Sequence, residues 1–194
     1  MVLLIGLGMP DFDQILFKVQ VVPKNRQPPA NAPRAGSNTK LKAPFTRYDV
    51  NFAVALPDIA MPLDANGTRR GRIEIMLIAF SPDGNILNIV RKRSDLTMDP
   101  KMYEATQQVG MQLHEEIDVP PGEFYLRAGI YDMNPGNCGT VGAALNGSSA
   151  KLSKSHSMER CAGGCVRIQS SSPHPRETRI FWNREGFSLQ DRNA

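Results

Sequence analysis

The sequence predicts an all-β fold, an antiparallel two-sheet sandwich with one short helix and a disordered C-terminal tail. Three observations favour this class. Seven segments alternate apolar and polar residues or are apolar throughout, clusters of Pro, Gly, Asn and Asp separate them, and little of the chain has a helical period. Short strands in such succession are typical of immunoglobulin-like or transthyretin-like sandwiches. The Cys–Trp–Cys core of antibody domains is absent, because the only tryptophan is Trp182.

The strands predicted from the hydrophobic period are, in chain order, 14–22, 47–56, 72–80, 85–91, 108–118, 123–132 and 138–145. The second has the cleanest alternation. The third is apolar on both faces apart from Glu74, which predicts a central strand covered on both sides. The sequence SPDG at 81–84 predicts a tight turn into the fourth strand. Phe52 and Leu77 are therefore expected in the core.

One helix is predicted after the fourth strand. Thr97 can cap it, Asp99 and Pro100 suit its first turn, and 102–108 continue it. The last two strands form a predicted hairpin, in which every second residue from Phe124 onward is apolar.

The organisation along the chain predicts an N-terminal extension at 1–11, the sandwich at 12–145 with a long flexible loop at 23–46, and a basic, largely disordered tail at 146–194. The formal net charge of +4 arises in the tail. Residues 1–145 contain 15 Lys/Arg and 15 Asp/Glu, whereas residues 146–194 contain 8 and 4. A neutral body without a basic, aromatic-interleaved face argues against a nucleic-acid binder.

No stretch of the sequence is long and apolar enough to predict a transmembrane segment. The apolar opening at 1–7 has no basic residue before it and lacks a small-residue cleavage site, so no signal peptide is predicted in this chain.

Reactive groups are few in the sequence. Cys161 and Cys165, with His156 or His174, have a spacing that zinc sites use, but no second cysteine pair accompanies them. Incidental cysteines in a tail are the favoured interpretation. We therefore predict no catalytic, cofactor-binding or metal-ligating residue, and no cofactor.

Two further sets of residues define alternative functions. A hydrolase would need one pocket that gathers His114, Glu116 and Asp132, although a solvated strand face is the favoured interpretation of the first two. A carbohydrate-binding sandwich would need Tyr125, Arg127 and Tyr131 exposed together on the outward face of one strand. Tyr48 and Phe124 are also aromatic, but their alternation favours packing in the core.

The order of several segments resembles a known family. These segments are ILFKVQVVP (15–23), RYDVNFAV (47–54), GRIEIMLIAFSPDGNILN (71–88), DPKMYEAT (99–106) and VPPGEFYLRAGIYDMNPGNCGTVGAAL (119–145). Together they resemble the C-terminal β-sandwich region of von Willebrand factor A-related domain proteins of acidobacterial type. The resemblance covers about 12–145 and does not include the A domain itself. The tail after 145 departs from it, which is typical of a truncated or frame-shifted reading frame.

The resemblance implies a non-enzymatic module of an exported bacterial envelope protein, and hence an extracytoplasmic location as part of that parent. We expect a structural or protein-interaction role with a protein partner in the envelope, and a carbohydrate ligand as the alternative. Loops and strand edges are the surfaces through which sandwiches bind. The basic side chains of the long loop are the candidate contacts here, namely Arg26, Arg34, Lys40 and Lys42.

Overall fold

A computed structural model describes residues 5–24, 29, 32–146, 166–168 and 178–182. At 146, 166–168 and 178–182 it describes the backbone alone. The elements in chain order are β1 Phe17–Pro23, β2 Thr46–Val54, β3 Arg69–Phe80, β4 Ile86–Met98, α1 Pro100–Val109, β5 Met111–Val119, β6 Glu123–Asp132, β7 Cys138–Asn146, β8 Val166–Ile168 and β9 Thr178–Trp182. A 3-10 turn, Leu56–Asp58, follows β2.

The strands form two antiparallel sheets, which confirms the predicted all-β sandwich. One sheet has five strands in the order β5-β2-β1-β9-β8, and the other has four in the order β4-β3-β6-β7. In the register of β1 and β2, the inward residues of the two strands lie opposite one another, as Val19 and Phe52 do. Because side chains alternate along a strand, each sheet presents one row of apolar residues to the other.

The core lies between the two sheets and draws on both. Phe52 and Leu77 are fully buried there, as the sequence predicts. Tyr48 from the five-stranded sheet meets Phe124 from the four-stranded sheet edge to face, with ring centroids 5.2 Å apart. Both aromatic side chains therefore act in packing, as their alternation indicates.

Strand β3 is buried on both faces, which confirms its prediction as a covered central strand. Its outward side chains Met76, Ile78 and Phe80 form a second apolar cluster with Ile5. The chain then passes over the outward side chain of Arg127, whose Nη1 donates to Asp11 Oδ1 over 2.7 Å, and reaches the free edge of β7, where the Thr140 amide donates to the Phe12 carbonyl over 2.9 Å. Part of the predicted N-terminal extension is thus a cover for the four-stranded sheet.

Several element boundaries differ from the predicted ones, such as the start of β5, which is Met111 and not 108 because α1 continues to Val109. Strand β4 runs on to Met98, because its second half is a polar, largely exposed edge that pairs with β3 and has no strong apolar alternation. The cap of α1 is Asp99 and not Thr97, since Asp99 Oδ1 accepts a hydrogen bond of 2.8 Å from the Met102 amide. The Pro100 ring then occupies the first helical position, where no amide hydrogen is needed.

Two short strands lie within the predicted tail. Strand β9 pairs with β1, with Ile180 opposite Val19, and β8 pairs with β9. The remaining residues of 147–194 lie outside the described residues, and so do the predicted disorder there and the Cys161, Cys165, His156 and His174 set. The one α-helix among the described residues, α1, is ten residues long, well short of a membrane span.

Candidate binding face of the five-stranded sheet

The outer faces of the two sheets differ in how far they are covered. On the four-stranded sheet, outward side chains such as Glu74, Met76 and Arg127 are buried. On the five-stranded sheet, the outward side chains of β1, β2 and β5 reach solvent to differing extents. They are Lys18, Gln20, Asp49, Asn51, Ala53, Gln112, His114 and Glu116, and we refer to them as the open face. The open face is mostly polar because residues alternate along these strands, and the apolar residues of each strand point inward to the core.

A shallow cavity of about 220 Å³ lies on the open face. Its lining residues are Lys18, Val19, Gln20, Asn51, Phe52, Ala53 and Gln112. Three of these carry side-chain amides, which both donate and accept hydrogen bonds. Such a surface suits recognition of a polar partner by hydrogen bonding, with the Ala53 methyl group as the small apolar floor.

A charged cluster borders this cavity, and it consists of Lys24, Asp49, His114 and Glu116. The register of β2 and β5 places Asp49 beside Glu116 and Asn51 beside His114. Lys24, which follows β1, reaches over this pair: its Nζ lies 3.2 Å from Asp49 Oδ1 and forms a short hydrogen bond with Glu116 Oε1. Two strands and a strand end thus bring four titratable groups together.

The orientation of His114 is set by Asn51. The His114 Nδ1 and Asn51 Oδ1 atoms are 2.9 Å apart. Because an amide oxygen only accepts, Nδ1 carries the ring proton in this arrangement. The second ring nitrogen, Nε2, then faces Asp49 Oδ1 at 3.5 Å.

The protonation of the charged cluster follows from these contacts. The hydrogen bond from Lys24 is the main reason that the pKa of Glu116 is lowered, and the nearby charges of Lys24, Arg47 and His114 add to it. The same hydrogen bond raises the pKa of Lys24. Both groups therefore keep their charge over the neutral range.

Behind the cluster, the long loop is fixed to the sandwich. The Asp118 Oδ2 atom accepts from the Ala35 amide over 2.8 Å, and the Ser37 amide donates to the Ile89 carbonyl over 2.7 Å. The predicted flexible loop is thus attached to β4 and β5 in its second half. Of its basic side chains, Arg34 stacks on the Phe45 ring at 4.2 Å, Lys40 and Lys42 are exposed, and Arg26 lies outside the described residues.

The predicted hydrolase set is not assembled. His114 and Glu116 share the open face, but Asp132 is the last residue of β6 in the other sheet and is fully buried. There it accepts hydrogen bonds from the Ala60 and Asn134 amides, so it fixes a turn. The carboxylate that His114 does meet is Asp49, which sequence reasoning missed. The available signal was its place in β2, on the same outward row as Asn51.

The predicted sugar platform is also not formed. Arg127 is only 8% exposed and its Nη1 lies 2.7 Å from Asp11 Oδ1. Tyr125 is 41% exposed, and Tyr131 is half-buried. The expectation that all three side chains are exposed together is therefore wrong, because the N-terminal segment covers the middle of this strand.

The described cysteine side chain is not suited to nucleophilic chemistry. Cys138 is buried, and burial raises the pKa of its thiol, which disfavours the reactive thiolate. The groups at the surface of the open face are instead paired ions and amides. Such groups can donate hydrogen bonds, accept them and form ion pairs.

No protein-family model, no curated protein and no solved structure matches this chain. The resemblance to von Willebrand factor A-related proteins stays a prediction. The candidate site therefore depends on the geometry of the described residues alone.

Proposed function

We propose that this chain is a non-enzymatic β-sandwich module that binds a partner protein through the open face. The observation that supports this is the contrast between the two sheets. The four-stranded sheet uses the chain's own N-terminal segment to cover its outer face, whereas the side chains of the open face reach solvent. Uncovered polar sheet faces with a shallow depression are suited to protein contacts rich in hydrogen bonds.

The partner in this proposal is an envelope protein. The resemblance of 12–145 to an exported bacterial protein supports that choice, together with the paired charges of the open face. Ion pairs such as Lys24 with Asp49 give a face of mixed sign, which favours a partner with its own mixed polar surface over a polyanion. The long loop contributes less, because Lys40 and Lys42 are the only exposed side chains among its described candidate contacts, Arg34, Lys40 and Lys42.

The test is site-specific photo-cross-linking with the full chain. A photoreactive amino acid at Gln112, on the open face, is compared with the same group at Tyr125, on the opposite sheet. We expect a discrete cross-linked protein from an acidobacterial envelope extract with the Gln112 probe alone, and we expect excess unlabelled chain to abolish it.

Cross-linking from Tyr125 alone, or from neither position, would contradict the proposed face. A glycan array separates the carbohydrate alternative, which requires sugar binding that the Tyr125→Ala substitution removes. Hydrolytic activity that disappears in the His114→Ala variant would overturn the non-enzymatic assignment.

A further inference from the structure

We propose that Asp49, His114 and Glu116 form a binding site for a divalent transition-metal ion of the Zn²⁺ class, with Lys24 as the competing cation. This inference is independent of the proposed partner. One imidazole nitrogen and two carboxylate oxygens, one from each residue, all lie within 4.8 Å of one another. Neutral imidazole and carboxylate are common zinc ligands, and the three-ligand set leaves a position open to water.

The backbone holds the ligands in a fixed relation. His114 and Glu116 are two residues apart on β5, and Asp49 lies directly across from Glu116 on β2. Zinc–ligand bonds of about 2.0–2.2 Å place tetrahedral ligands about 3.5 Å from one another. The His114 Nε2 and Asp49 Oδ1 atoms are already 3.5 Å apart, so small side-chain rotations of Glu116 complete the site.

The imidazole is oriented as a ligand requires. Asn51 Oδ1 accepts the Nδ1 proton of His114 at 2.9 Å, which leaves the lone pair of Nε2 facing the Asp49 carboxylate. In metal-bound histidines, the N–H group of the other ring nitrogen typically donates a hydrogen bond to an oxygen in this way, which fixes both the tautomer and the ring direction. Asn51 is therefore the positioning residue of the site.

Asp49 Oδ1 lies at the centre of the cluster. The atom is shielded from solvent, although 27% of the Asp49 side chain is exposed, and it faces both Lys24 Nζ at 3.2 Å and His114 Nε2 at 3.5 Å. A carboxylate oxygen removed from water needs a cation or a donor beside it. A metal ion between Asp49 and His114 would be such a cation.

Lys24 occupies the cation position at present. Its ammonium group contacts both carboxylates, yet the side chain is about one-third exposed and follows the end of β1, so it can swing into solvent. Metal binding must displace this charge. Arg47 Nη1 lies 3.2 Å from the other oxygen of Glu116, Oε2, so Arg47 competes for that carboxylate alone, whereas Lys24 contacts both carboxylates. Lys24 is therefore the charge that most directly opposes metal binding.

The experiment titrates Zn²⁺ into the full chain against a chromophoric chelator. The Cys161→Ser and Cys165→Ser substitutions are present throughout, so that the tail thiols cannot bind the ion. We expect His114→Ala to weaken binding at least about tenfold through loss of a ligand, with Gln112→Ala as the matched control on the same strand and face. We expect Lys24→Met to strengthen binding about tenfold through loss of a repelling charge, with Lys42→Met as its control.

Equal Zn²⁺ affinity in the parent and the His114→Ala variant would overturn the proposal, and so would no binding at millimolar Zn²⁺. A Lys24→Met variant with unchanged affinity would refute the competing role of Lys24. Co²⁺ in place of Zn²⁺ gives a second readout, because a tetrahedral nitrogen and oxygen site has visible absorption that His114→Ala should abolish. Cross-linking at Gln112 without added metal is a separate measurement, so failure of the metal site leaves the proposed function standing.

Discussion

Arg47 and Asp118 form a two-point ion pair at the junction of the open face and the long loop. Arg47 Nε lies 2.7 Å from Asp118 Oδ1, and Arg47 Nη2 lies 2.8 Å from Asp118 Oδ2. Asp118 is fully buried and also accepts from the Ala35 amide, while Arg47 Nη2 donates to the Pro33 carbonyl. This pair therefore joins β2, β5 and the loop in one hydrogen-bonded unit.

Replacing Asp118 with Ala should lower the free energy of unfolding by about 3–5 kcal/mol, because it leaves the Arg47 charge and the Ala35 amide without their acceptor. The control is Asp95→Ala, which removes an exposed pair with Arg72 and should cost less than about 1 kcal/mol. Urea denaturation measures both values. Similar losses in the two variants would show that the buried pair stabilises the fold no more than the exposed pair does.

Gly36 should not tolerate a side chain. Its φ is +121°, and a Cβ atom there would overlap the Asn88 side-chain amide. Asn88 in turn donates to the Ala35 and Asp118 carbonyls over 2.9 and 2.7 Å. We expect Gly36→Ala to cost more than the roughly 1–2 kcal/mol of a left-handed backbone alone, and to speed hydrogen exchange of the Ser37 amide.

Gly67→Ala is the matched control for that variant. Gly67 has a φ of +78°, but nothing lies within 4 Å of a Cβ atom placed there. It should therefore show the backbone cost without the steric one. Equal losses of stability would mean that the Asn88 contact can relax freely.

Truncation of the core should be expensive at the two positions that the sequence predicts as central. Phe52→Ala and Leu77→Ala should each lower the free energy of unfolding by about 2–5 kcal/mol, since both leave a cavity between the sheets. Ile86→Ala provides the comparison, because Ile86 is 53% exposed and buries little. Chemical denaturation would contradict the assignment if the exposed position proved as costly as the buried ones.

Acid should destabilise the protein partly through Glu74. Burial alone would raise the pKa of Glu74, but hydrogen bonds and charges from Arg91 and Arg93 outweigh it and lower the pKa below the ordinary 4.5. The carboxylate thus stabilises the fold fully above about pH 5, and this contribution is lost as the pH falls through the lowered pKa.

In the Glu74→Gln variant, the free energy of unfolding should fall less steeply between pH 5 and pH 3 than in the parent, because the proton that Glu74 binds more readily in the unfolded state no longer contributes to the slope. Denaturation curves at several pH values measure this. An unchanged slope would show that Glu74 binds its proton alike in the folded and unfolded states.

Local alternation was enough to predict most of the fold. The inward rows of β2 and β6 are apolar at every second residue, so their direction and burial follow from the period alone. The end of β4 was missed, because Arg91 and Arg93 belong to a solvated edge that pairs through its backbone and through Glu74. Edge strands of this kind have no apolar period to detect.

The candidate site was less accessible to sequence reasoning, because it depends on register. Alternation placed His114 and Glu116 on one face, but only the pairing of β2 with β5 brings Asp49 beside them. Asp49 lies more than sixty residues earlier in the chain. The contacts of Lys24 with Glu116 and of Arg127 with Asp11 were missed for the same reason, because each joins segments that are far apart in the sequence.

Deletion of residues 147–194 tests the contribution of the tail strands. Because the sequence predicts a largely disordered tail from Asn146 onward, deletion of that tail is expected to cost little stability, whereas the pairing of β9 with β1 over Val19, Gln20 and Val21 predicts a local effect. We expect the backbone amides of β1 that face β9 to exchange faster in the shortened chain, because they lose their acceptors. Those that face β2 should keep their protection and serve as the internal control. Unchanged exchange along the whole of β1 would show that β9 adds no protection to this strand.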